Sequence, residues 1–79
     1  MLQVGSPKVK VIKEKINNQI FEGIHFLVTS SQGLTINVDH NAESDEKAKS
    51  ILKKVIASLP ETKNAYTNIQ YIDKEGHIL

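Results

Sequence analysis

A chain of 79 residues has room for one hydrophobic core, and without a cysteine it can draw on neither disulfides nor thiolate metal ligands. Ten lysines, no arginine and nine acidic residues leave a net charge of +1. That balance argues against a surface built to hold a polyanion, and against the bidentate reading of phosphate or guanine that arginine provides.

Gly5, Ser6 and Pro7 form a loose lead-in, after which Lys8 to Ile16 reads as a strand: Lys8 and Lys10 alternate with Val9 and Val11. The alternation changes phase between Val11 and Ile12, which in a strand implies a bulge or a strong twist. Asn17 and Asn18 tolerate the left-handed backbone of a tight turn and so link this strand to the next. The second strand is expected from Ile20 to Ser30. Its even positions carry Ile20, Glu22, Ile24, Phe26 and Val28, and its odd positions Phe21, Gly23, His25, Leu27 and Thr29. A turn at Ser30 to Gly33 follows. Leu34, Ile36 and Val38 then alternate strictly with Thr35, Asn37 and Asp39, the pattern of a strand with one dry and one wet face.

The stretch from Ser44 to Leu59 predicts an amphipathic helix, because Ala48, Ile51, Leu52, Val55, Ile56 and Leu59 fall on one stripe. Ser44 suits the N-cap, Asp45 and Glu46 suit the positive end of the helix dipole, and Pro60 follows the last apolar position. A polar link through Glu61, Thr62, Lys63 and Asn64 leads to Ala65 to Asp73, which includes Ile69, Tyr71 and Ile72 and reads as a further strand. His77, Ile78 and Leu79 are left for a very short terminal strand. The predicted fold is α+β: one small domain of residues 1–79, with an antiparallel sheet of three to five strands in the order β-β-β-α-β and one amphipathic helix packed on one face.

One helix covers one face of such a sheet and leaves the other open. With Ile24, Phe26, Val28, Leu34, Ile36 and Val38 on the covered side, Phe21, His25, Leu27, Thr29, Thr35 and Asn37 look outward. These six are the expected partner-binding surface. The expected partner is a second copy of the chain, as a dimer, or a protein or small molecule held at the seam. The plainer alternative is that the N-terminal arm or the terminal turn covers Phe21 and Leu27, or that they sit exposed as single apolar residues often do.

Little else in the residues points to chemistry. His25, His40 and His77 lack the paired spacing of a metal site, so neither metal nor cofactor is expected. Asp39 and His40, as neighbours on a strand, point to opposite faces. Ser30 and Ser31 have no base in view, the glycines are isolated, and Glu22 interrupts an apolar row. An enzyme would need His25, Glu22 or Tyr71 to converge in a pocket. The function expected is therefore a non-enzymatic binding module, a regulator or inhibitor, in the cytoplasm and without membrane association, since no apolar run reaches signal-peptide or bilayer-spanning length. The alternative is a weak nucleic-acid binder using Lys8, Lys10, Lys13 and Lys15. Against it stand Asp39, Glu43, Asp45 and Glu46, and too few aromatic residues to stack bases.

Overall fold

In a computed structural model, which describes residues 1–62 and 65–79, the chain forms a five-stranded, wholly antiparallel sheet with two helices. In chain order these are β1 (Leu2–Gly5), α1 (Val9–Ile16), β2 (Gln19–Phe21), β3 (Ile24–Gln32), β4 (Thr35–His40), α2 (Asp45–Ser58) and β5 (Asn68–Tyr71), with a single 3-10 turn at Pro60–Thr62. The strands lie side by side as β2-β3-β4-β1-β5. The fold class is as the sequence predicts, but a helix stands where the first strand, Lys8 to Ile16, was expected, and a short strand that was not expected precedes it. Lys63 and Asn64 of the expected polar link lie outside the described residues.

Residues 8–16 are the main correction. Lys8, Val9, Lys10 and Val11 mimic a strand over four positions, yet Val9, Ile12 and Ile16 are the buried residues and sit at i, i+3 and i+7, one face of a helix. The phase change at Val11 and Ile12 is this helical period and not a bulge. Ser6 starts the helix: its carbonyl accepts from Val9 N–H at 3.1 Å and its Oγ from Lys8 N–H at 3.1 Å. Lys13 and Lys15 in the last turn face the negative end of the dipole.

The expected second strand is in fact a hairpin. Glu22 and Gly23 have φ of 51° and 80°, and Phe21 pairs with Ile24 across them. Two positive-φ residues between paired strands make the turn whose twist matches a hairpin, and a side chain other than Asn, Asp or Gly is strained there. Glu22 is thus a turn residue, which accounts for an acid in an apolar row. The β3–β4 hairpin turns at Gly33, φ 58°, and Leu34; Leu34 is 60 % exposed and does not join Ile36 and Val38 in the core.

α2 follows the sequence closely. Ser44 is the N-cap and its Oγ accepts from Lys47 N–H at 3.2 Å. Ala48, Ile51, Leu52 and Ile56 are buried. At the other end the buried Thr62 hydroxyl donates to the Ile56 carbonyl at 2.8 Å, satisfying a helix-end acceptor.

Both helices press on the same face of the sheet. Leu2 and Val4 of β1, Phe26 of β3, Ile36 and Val38 of β4 and Ile69 of β5 form one buried cluster with the stripes of α1 and α2. Ile72 is also buried but lies outside that cluster; alternation sets it on the opposite face, where the C-terminal turn folds back and Ile72 bridges to Ile78. Among the described residues no helix is long and apolar enough to cross a membrane.

Ile12→Ala and Leu52→Ala should each cost about 2–5 kcal/mol in urea denaturation, since both side chains are wholly buried; a cost below about 1 kcal/mol for Ile12 would refute the packing of α1. Glu22→Asn should raise stability by up to about 1 kcal/mol by easing the left-handed position.

Candidate functional site

The open face of the sheet divides into two halves. Around β1 it is polar: Gln3 pairs across to Asn37 on one side and Gln70 on the other, and Gln3 Nε2 donates to Asn37 Oδ1 at 3.4 Å. Towards β2 it turns aliphatic. Ile20 pairs with His25, and Leu27, next along β3 on the same face, pairs with Asp39. Ile20 is 68 % exposed and Leu27 43 % exposed, so two large aliphatic side chains on adjacent strands flank a histidine in water.

This end is held in shape by asparagines. Asn41 Oδ1 accepts from His25 N–H at 2.9 Å, and His25 Nε2 lies 2.7 Å from Asn18 Oδ1, a carbonyl oxygen, so Nε2 carries the proton. Asn18 takes φ 58°, a conformation asparagine tolerates. A shallow depression of about 140 Å³ lies among His25, Leu27, Asp39, His40 and Asn41.

Of the six residues expected outward, His25, Leu27, Thr35 and Asn37 share the open face. Thr29 is exposed at a bulge, where the β3–β4 register shifts between Val28 and Ser30. Phe21 is a correction: the turn at Glu22 and Gly23 puts it on the covered side, packed against the core with its ring 6.0 Å from that of Phe26. The same turn puts Ile20 on the open face, a position a single unbroken strand would have hidden. Gly23 within an apolar pattern was the available signal.

A second cluster ties the start of β1, the end of β4 and the start of α2. The Met1 α-amino group lies 2.7 Å and His40 Nε2 2.6 Å from Asp45 Oδ1. His40 Nδ1 accepts from Ala42 N–H at 3.1 Å, so Nε2 is the protonated nitrogen and donates to the carboxylate. Both ring nitrogens of this nearly buried histidine are engaged. Burial works against ionisation of Asp45, but hydrogen bonds from the α-amino group and His40, with the charge of the α-amino group, hold its carboxyl below the ordinary value. Asp39 takes no part, its Oδ1 accepting from the backbone N–H of His40.

Three donors do gather on the C-terminal turn. Side-chain ligand atoms of Asp73, Glu75 and His77 lie within 4.8 Å of one another, and could hold a cation from an exposed position. Asp73 Oδ1 is already engaged by the N–H groups of Glu75 and His77, both at 2.9 Å, and these hold its carboxyl below the ordinary value. A cavity of about 270 Å³ between α2 and β5, lined by residues including Lys53, Ile56, Thr62, Thr67 and Ile69, lies on the covered side, away from the open face. The grouping of His25, Glu22 and Tyr71 does not form: the first two lie at the β2 edge and Tyr71 is on β5, the strand at the far edge.

The four lysines sit on and around α1. About 100° per residue puts Lys10 and Lys13 on one flank and Lys8 and Lys15 on the other. Lys15 Nζ is 3.8 Å from Glu61 Oε2. Comparison with family models, with curated proteins and with solved structures finds no match.

Because the folded-state pKa of Asp45 is depressed, its contribution to stability is full above its ordinary value of 3.8 and is lost as pH falls through the lower folded value. Asp45→Asn should therefore be less stable than the parent at neutral pH. The gap should close on acidification below about pH 4, read as denaturation midpoints across the titration. A gap that stayed constant would refute the ion pair.

Proposed function

We propose that the chain is a non-enzymatic binding module that pairs with a second copy of itself through the aliphatic end of the open sheet face. The observation that carries this is the exposure of Ile20 and Leu27 on adjacent strands, with His25 between them and Asn18, Asp39 and Asn41 around them. An apolar centre with a polar rim is the usual anatomy of a protein interface. A two-fold axis through the patch would bring the same residues of both copies together, as closed dimers require. Net charge of +1 leaves little long-range repulsion between copies.

The non-enzymatic part of the reading is supported by His40, whose ring nitrogens are both engaged, and by the separation of His25 and Glu22 from Tyr71. The nucleic-acid alternative through Lys8, Lys10, Lys13 and Lys15 draws less support, since the helix splits the lysines between two flanks and Lys15 faces Glu61.

Sedimentation equilibrium tests the pairing. The parent should show a dimer that grows with concentration, and Leu27→Asp should remain monomeric with an unchanged far-UV spectrum, because Leu27 is outside the core cluster. A parent that stays monomeric up to about 1 mM, where even a 4 kcal/mol association would register, overturns the proposal.

A further inference from the structure

The two outer edges of the sheet are treated differently. Past the end of β5, the chain's own C-terminus folds back, with Ile72 bridged to Ile78 and Leu79 N–H donating to the Tyr71 carbonyl at 3.0 Å. On the other side, β3 runs nine residues while β2 pairs only with Ile24, His25 and Phe26. Beyond β2, the Asn17 side chain stands in for a strand: its Oδ1 accepts from Val28 N–H at 3.0 Å. The substitute stops there. Among the described residues Ser30, Ser31 and Gln32 pair with β4 alone and Thr29 is the bulged residue, so the outer side of this exposed stretch has no strand neighbour.

Beside this free edge runs the flank of α1. A groove of about 470 Å³ lies between them, lined by Lys10, Lys13, Glu14, Asn17 and Ser31. Among the described residues neither Lys10 nor Lys13 has a carboxylate within ion-pair distance, whereas Lys15 on the far flank faces Glu61. The groove therefore has the β3 edge at Ser31 on one wall and, on the other, two lysines with no carboxylate partner among the described residues.

We propose that this groove takes an extended acidic peptide segment, which adds to the outer edge of β3 at Thr29–Gln32 while its carboxylates meet Lys10 and Lys13. Strand addition beside a helix draws affinity from main-chain hydrogen bonds and selectivity from the side chains alongside. Four edge residues span about 13 Å, enough for a peptide of about four to six residues. The edge itself is Thr, Ser, Ser and Gln, with no apolar side chain to anchor a hydrophobic strand, so charge is what the groove selects. Glu14 on the same flank disfavours acids along the whole peptide and confines them to the positions facing the lysines. This surface is distinct from the patch at Ile20 and Leu27.

The test is an amide NMR titration with a blocked hexapeptide of alternating valine and aspartate, a lysine-for-aspartate control, and an aspartate peptide with alternate amides N-methylated. The aspartate peptide should shift the amides of Thr29–Gln32 together with Lys10 and Lys13. It should bind about tenfold tighter than the lysine peptide, a ratio within reach of two exposed charge pairs. Methylation should abolish binding, and Lys10→Glu with Lys13→Glu should reverse the charge preference with the helical spectrum unchanged. Leu27→Asp should leave the titration unaltered, which separates this surface from self-association. Absence of shifts at the β3 edge, equal binding of both charge forms, or shifts confined to Ile20 and Leu27 would overturn the proposal. Displacement of the peptide by a single-stranded oligothymidine at lower concentration would overturn it in favour of a polyanion.

Discussion

The structure depends on the placement of its first strand between two later ones. β1 pairs with β4 on one side and β5 on the other, and both Leu2 and Val4 are completely buried. Without β1, β4 has a free edge, β5 has no sheet to join, and the middle of the floor under both helices is missing. Completing the core requires residues at one end of the chain to meet residues 35–38 and 68–71, so local contacts alone cannot stabilise the fold. The cluster of Met1, His40 and Asp45 closes the same junction from above. It fixes where β1 begins, where β4 ends and where α2 starts, and it uses the acid that already suits the helix N-terminus.

From that junction the two-layer arrangement follows. α1 and α2 both have a single apolar stripe, and both stripes join the buried cluster with Leu2, Val4, Phe26, Ile36, Val38 and Ile69 of the sheet. Sharing one face leaves the other without a helix. On that second face, the Gln3 amide donates to that of Asn37 and the C-terminal turn covers Ile72, while among the described residues none covers the end around Ile20 and Leu27.

How far the sequence revealed this depended on how many turns of pattern each element supplied. α2 has fourteen residues, a capping serine, first-turn acids and a following proline, so several independent signals agreed. α1 has eight residues, too few for three buried positions to outweigh four that alternate as Lys-Val-Lys-Val. β1 at Leu2–Gly5 is four residues long and was lost in the lead-in. The candidate surface was legible in part. His25, Leu27, Thr35 and Asn37 were placed correctly because strand parity is robust once a strand is recognised. Ile20 and Phe21 were exchanged because Glu-Gly is an uncommon hairpin turn, and a missed two-residue turn reverses every assignment before it. The His40–Asp45 pair crosses from a strand end to a helix start and has no periodic signature.

The same turn that hid Ile20 also explains why the two unoccupied surfaces lie near each other and yet differ in character. By reversing the chain after three residues, Glu22 and Gly23 keep β2 short, which leaves the rest of β3 without a strand neighbour on its outer edge among the described residues. They also bring Ile20 beside His25, which forms the aliphatic patch on the open face. One is a polar edge flanked by cations and the other an apolar face rimmed by amides. A partner that satisfies backbone groups would gain little at the second, and one that buries methyl groups would gain little at the first. A longer β2 would cover the edge but not the face, so the brevity of that strand is what leaves room on one small sheet for both proposed modes of association.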